Sequence, residues 1–116
     1  MATLSRIAPE IAVADLKRAI DYYSQKLGFE LAMELPEAGY AVVERDGVAI
    51  HLFEQSGKAP VPSSVHIFTH QLEDLHCELE GRGATICQAI MQKPWGNRDF
   101  RVEDSAGNIL KFTEPI

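Results

Sequence analysis

The second half of this chain repeats the plan of its first. Each half carries an apolar run, then an acidic residue beside Leu, then a helical stretch closed by Gly. In the first copy these are Ile11-Ala12-Val13-Ala14-Asp15-Leu16 with Gly28; in the second, Thr69-His70-Gln71-Leu72-Glu73-Asp74-Leu75 with Gly83. Both copies also finish alike. Arg45-Asp46-Gly47 leads into Val48–Phe53, and Asp104-Ser105-Ala106-Gly107 leads into Asn108–Thr113. Duplication places equivalent positions on two facing surfaces, between which a cleft can form, and it sets His51 against Lys111. A repeat of this size builds only a marginal core alone, so the halves are expected to pack together or to pair between chains.

The pattern within each copy is legible. Residues 7–13 read as a strand, and Asp15 as a helix N-cap whose carboxylate accepts an orphan N–H. Leu16, Ala19, Ile20, Tyr23 and Leu27 then recur at helical spacing, and Gly28 supplies a left-handed stop. Strands follow at 29–35, 40–44 and 48–53, the last two joined by Asp46-Gly47, a tight-turn signal. The second copy gives a strand at 65–70, a helix over 73–82, and strands at 84–91, 98–103 and 109–113. The fold class is therefore α+β, as two βαβββ modules, 1–56 and 63–116, joined by the polar Gly/Pro-rich linker 57–62. The modules are expected to form curved mixed sheets around a cleft.

Composition narrows the function classes. The 116 residues carry a net charge of −6, which argues against nucleic acid, where clustered Lys and Arg must neutralise phosphates. No apolar stretch approaches the roughly 20 residues of a membrane span, and the N-terminus lacks a signal's apolar core. A soluble cytoplasmic protein is expected, with Cys77 and Cys87 as buried free thiols. A nucleophile with a placed base is not evident, nor is a phosphate-cradling glycine loop, since Gly81-Arg82-Gly83 reads as a helix end.

The ordered series Val13-Ala14-Asp15-Leu16, Asp21-Tyr22-Tyr23, Leu27-Gly28-Phe29 and Asp104-Ser105-Ala106-Gly107-Asn108-Ile109-Leu110 resembles the vicinal-oxygen-chelate superfamily of glyoxalases, bleomycin resistance proteins and extradiol dioxygenases. Ser105 stands where the family motif usually has proline. The resemblance implies the glyoxalase/bleomycin resistance fold over nearly the whole chain. It also implies, in enzymatic members, a divalent metal held by His and Glu on four strands. Alignment puts those positions at Ala8, His51, Ile67 and Lys111. Ala and Ile have no ligating atoms and an ammonium has no lone pair, so the metal is expected to be missing. A shifted set of Glu10, His51 and His66 is the escape. It would require turning His66 from the layer under the helix, where this register puts it, to the cleft.

Without a metal, the nearest likeness is to the bleomycin-resistance branch, carried by Pro9-Glu10-Ile11, Asp46–Leu52 and Pro94-Trp95-Gly96-Asn97-Arg98-Asp99-Phe100. The implied function is metal-free and cofactor-free binding of a small, bleomycin-like molecule in two clefts of a homodimer, with the first strand exchanged about Pro9 or merely starting an edge. His51, Phe53, Ile67, Trp95, Arg98 and Lys111 are the expected ligand-binding residues. Three of them have plainer readings: Trp95 as a lid, Arg98 paired with Asp99 or Asp104, Lys111 bridged to Glu10. Two enzymatic alternatives stand beside binding. One is a glyoxalase-like lyase or isomerase, or a dioxygenase, with a displaced metal; the other is proton transfer between Lys111 and His51.

Overall fold

In the computed structural model, which describes residues 1–115, the chain forms two four-stranded mixed sheets, each carrying one helix. The first half contains β1 (Glu10–Val13), α1 (Leu16–Leu27), β2 (Glu30–Leu35), β3 (Tyr40–Arg45) and β4 (Val48–Glu54), with a short 3-10 turn at Pro36–Ala38. The second contains β5 (Ser64–Phe68), α2 (Leu72–Gly81), β6 (Thr85–Gln92), β7 (Arg98–Glu103) and β8 (Ile109–Glu114). Strand order is β1-β4-β3-β2 in one sheet and β5-β8-β7-β6 in the other, so the duplication is exact in topology. The first and last strands of each half pair in parallel and the rest antiparallel.

Local chemistry sets the helix ends. The Asp15 carboxylate accepts the N–H of Arg18 at 3.0 Å, and Gly28 closes α1 at φ 73°. The buried stripe is the one the sequence spacing gives: Leu16, Ala19, Ile20, Tyr23 and Leu27. It packs on alternate residues of its sheet, among them Ala41 and Val43 of β3 and Ile50 and Leu52 of β4. In the second half Leu72 and Leu79 of α2 cover Phe100, Val102, Leu110 and Phe112.

The molecule measures 45 × 43 × 24 Å. Its thin dimension is what one sheet of about 10 Å and one helix of about 10–12 Å occupy together. The two sheets thus lie side by side, and each has one face on its helix and one face open.

Two polar clasps, and the Tyr22 hydroxyl bonded to the Glu103 carbonyl and the Thr85 N–H, join the halves. At one end the Tyr23 hydroxyl donates to Asp104 Oδ2 at 2.8 Å, and Asp104 Oδ1 accepts the backbone N–H groups of Ala106 and Asn108. The wholly buried Asn108 donates through Nδ2 to the Ala12 carbonyl and to Asp104, both at 3.0 Å, and accepts the Ser63 N–H at 2.8 Å. At the other end Arg45 bonds Glu78 at 2.7 and 3.0 Å and the Leu27 carbonyl at 2.8 Å, while Arg82 bonds Glu78 at 2.8 Å. The Arg45 hydrogen bond holds the Glu78 carboxyl below its usual range, against the opposing effect of burial.

Three expectations are corrected. The first strand begins at Glu10 instead of residue 7, leaving residues 1–9 outside the sheets. Cys77 and Cys87 are exposed, not buried, because each falls on the solvent side of its element. In β5 the side-chain parity is opposite to the one drawn from the alignment, with consequences for the site.

Candidate functional site

Strand register arranges the open faces in rows. Across the first sheet, Glu10, His51, Val42 and Met33 are successive partners, and beside them run Ala12, Phe53, Tyr40 and Leu35. Across the second, His66, Lys111, Arg101 and Gln88 form the matching row, followed by Phe68, Thr113, Asp99 and Met91. Under the duplication Glu10 corresponds to His66 and His51 to Lys111. The sheets have diverged in character: the first offers mostly apolar and aromatic surface, the second mostly polar and cationic.

Of the six residues expected to bind ligand, three lie on these faces. His51 and Phe53 are on the first sheet and Lys111 on the second. Ile67 does not join them. It partners Phe112, on the helix side, because Val65 and Ile67 are the apolar alternation of β5 and turn toward the core. There it lines a hollow of about 490 Å³ at the seam between the halves, whose Arg45 and Glu78 already satisfy each other. His66, not Ile67, stands on the open face.

Arg98 is also placed elsewhere. It shares the helix side with Phe100 and bonds Glu114 at 2.9 and 3.0 Å and Glu73 at 2.7 Å. Its partners are thus neither Asp99 nor Asp104, since Asp99 points to the opposite face. The pair with Arg98 lowers the Glu73 carboxyl from its ordinary value. Trp95 sits in the β6–β7 turn, 65% exposed, at the end of the second sheet.

Sequence reasoning missed Tyr40. Its hydroxyl lies 2.9 Å from Glu10 Oε2 and 2.7 Å from His51 Nδ1. An ionised carboxylate only accepts, so the phenol proton goes to Glu10 and the His51 Nδ1–H goes to the phenol oxygen. Of the two neutral tautomers this arrangement selects the Nδ1–H form, whose lone pair is on Nε2. Local desolvation, then the hydrogen bond and charge of Glu10, raise the Tyr40 phenol above its usual range, which keeps it a donor. The second sheet repeats the device. Thr113 donates to the Lys111 carbonyl at 3.0 Å and accepts from His66 Nδ1 at 3.0 Å, which likewise selects the Nδ1–H tautomer of His66. Glu10 bonds Tyr40, and its expected bridge to Lys111 is not among the ion pairs of the described residues.

The register also removes the argument that eliminated the metal. The strand positions facing His51 and Lys111 belong to Glu10 and His66, not to Ala8 and Ile67. Among the described residues of one chain, however, no three His, Cys, Asp or Glu side chains gather as a metal site. The donors are divided between two sheets, and Lys111 and Arg101 add positive charge to the second. The residues of a single chain therefore do not fit a metal ion.

Comparison with known proteins agrees with this architecture. The family model described as "Glyoxalase/Bleomycin resistance protein/Dioxygenase superfamily" matches residues 3–112. Bleomycin resistance proteins of Geobacillus stearothermophilus and Staphylococcus aureus are 28% identical over 127 aligned positions, covering 93% of this chain and 95% of theirs. Among solved structures, TioX from Micromonospora sp. ML1 superposes with a TM-score of 0.81 at 24% identity, covering 97% of this chain and 99% of that one. A bleomycin resistance determinant encoded on the transposon Tn5 gives 0.85 at 18% identity, covering 96% and 98%. No helix of the described residues is long and apolar enough to cross a membrane.

Proposed function

The chain belongs to the glyoxalase/bleomycin resistance protein/dioxygenase superfamily, and from that premise we propose that it is a cytoplasmic, metal-free binding protein. Two copies hold small, antibiotic-like molecules in clefts between the open face of one copy's first sheet and that of the other's second. The observation that carries this reading is the pair of uncovered faces. Met33 and Leu35 on one, and Phe68 and Met91 on the other, are each more than 40% exposed, and large apolar side chains left bare on a sheet face mark an interaction site. Charge favours the pairing of unlike sheets. Glu10, Glu30 and Glu44 lie on the first face, while Lys93, Arg101 and Lys111 lie on the second.

The arm formed by residues 1–9 supports association as well. Leu4 and Ile7 are almost wholly exposed, and Pro9 leaves the arm extended. β1 itself pairs with β4 of its own chain, so in this reading the arm, and not the strand, lies on the second copy. Metal-free binding accords with two cations in the row where a divalent ion would have to sit.

The test is sedimentation of the purified protein, followed by thermal melting with bleomycin and, separately, with Mn, Fe, Ni and Zn. A dimer stabilised saturably by bleomycin and indifferent to metal is the expected result. A monomer unmoved by any addition would overturn the reading. A second reading is favoured by the register alone, because in the proposed pair Glu10 and His51 of one copy would face His66 of the other. A metal-induced rise in melting temperature abolished by His51→Ala would establish that metal-dependent alternative instead.

A further inference from the structure

We propose that Lys111 and Arg101 form a subsite for an oxyanion, so that the clefts accept, besides a bleomycin-like molecule, planar, largely apolar molecules carrying a carboxylate, sulfonate or phosphate group. The inference rests on the cleft reading and names the chemistry of its ligand.

Lys111 and Arg101 are directly opposed across the β7–β8 pair and stand on the same open face. Like charges in that relation repel at a separation of about 4.5–5.5 Å between Cβ atoms. Nothing within the described residues relieves Lys111, which has no carboxylate within 4.0 Å. Arg101 is only partly relieved. Its Nη2 lies 3.6 Å from Asp99, and its Nε is shielded from solvent with no hydrogen-bond partner.

The acids near the row do not change this. Asp99 is 2% exposed and is shared with Gln88 at 2.7 Å and Lys93 at 3.5 Å, so one carboxylate serves two cations. Glu103 lies one row away, opposite Ile109, and forms no ion pair among the described residues. His66, on the other side of Lys111, is oriented by Thr113 and brings no negative charge. In a protein of net charge −6, two adjacent cations draw an anion to the row, and Glu10 of the facing sheet, already held by the Tyr40 hydroxyl, leaves that place to a ligand. A planar oxyanion accepts from a guanidinium fork and an ammonium together. The facing first sheet, with Phe53, Tyr40, Val42 and Met33, provides a surface for flat apolar rings.

The test uses two probes with the same rings: 1-anilinonaphthalene-8-sulfonate, and N-phenyl-1-naphthylamine, which lacks the sulfonate. Each is titrated by fluorescence into the intact protein and into Lys111→Met, Lys111→Arg and Arg101→Gln. The protein should bind the sulfonate at saturable stoichiometry and about tenfold more tightly than the neutral probe. Lys111→Met should erase that preference and leave neutral affinity within about twofold, and Lys111→Arg should restore it. Equal affinity for both probes in the unmodified protein, or equal loss of both in Lys111→Met, overturns the oxyanion subsite and leaves the cleft standing. If neither probe binds, the cleft reading fails and the inference with it. A dimer weakened alike by Lys111→Met and Glu10→Gln in sedimentation, with no sulfonate preference, would assign Lys111 to an ion pair between copies instead.

Discussion

Asn108 offers the sharpest test of how the halves are joined. Its side chain bonds the Ala12 carbonyl, 96 residues away in sequence, and the Ser63 N–H. The carbonyls of Pro9, just before β1, and of Val13 at its end accept from His51 and Gln55, so the Ala12 carbonyl, of the other parity, points away from β4 toward the second half. Asn108→Ala strands both backbone groups. A buried polar group left unpaired costs about 1–3 kcal/mol. Ser63 is exposed enough for water to replace its acceptor, whereas Ala12 is 7% exposed. With the lost bond to Asp104, itself worth about 0.5–1.5 kcal/mol, we expect a total of about 2–4 kcal/mol, a large part of the roughly 5–15 kcal/mol that holds a typical domain together. Asn108→Asp is nearly isosteric and keeps the Ser63 bond, yet it sets an anionic acceptor against the Ala12 carbonyl and Asp104, whose oxygens lie 3.0 Å from the present Nδ2. It should cost at least as much. Urea unfolding at one fixed protein concentration, with the slope unchanged, measures both. A cost below about 1 kcal/mol for Asn108→Ala, or native stability in Asn108→Asp, would refute the reasoning.

Three further outcomes follow from single contacts. Burial, then the charge and hydrogen bond of Asp104, raise the Tyr23 phenol well above 10.0; its folded value exceeds its unfolded one, so stability should hold below about pH 10 and fall as pH climbs toward the folded value, a fall that Tyr23→Phe removes. Tyr40→Phe should leave His51 free to exchange tautomers, visible as a shift of its ring 15N resonances away from the Nδ1–H pattern; unchanged resonances would dismiss the phenol as its anchor. Gly28→Ala should cost about 1–2 kcal/mol or more in chemical unfolding, since the residue is left-handed at φ 73° and a Cβ would stand 2.9 Å from Arg45 Nη1.

Local periodicity made most of the fold readable. The α1 stripe, the Asp15 cap, the Gly28 stop and the Asp46-Gly47 hairpin are all short-range devices, and the duplication gave the order of elements. What misplaced β5 was reliance on the family alignment where the strand's own alternation spoke plainly: Val65 and Ile67 are apolar and inward, leaving His66 outward with Lys111. On β1 the parity was right, because Ala8 and Glu10 share a face; only the pairing, which sets Glu10 and not Ala8 beside His51, needed the folded register. Tyr40 passed unnoticed because its partners come from β1 and β4, and a strand's first residue gives no sign of such reach. Arg98 was assigned to neighbours in sequence, but Asp99, adjacent on a strand, necessarily points the other way, and Glu114 and Glu73 are close only after folding.

The two clasps between the halves differ in kind. Tyr23, Asp104 and Asn108 are shut away from water, whereas Arg45, Glu78 and Arg82 are partly solvated and lie within reach of dissolved ions. Screening weakens solvated charge pairs far more than buried hydrogen bonds. The junction therefore joins a salt-indifferent seam to a salt-sensitive one, and raising the ionic strength should weaken the hold of Glu78 on Arg45 while Tyr22, Tyr23 and Asn108 keep the halves together.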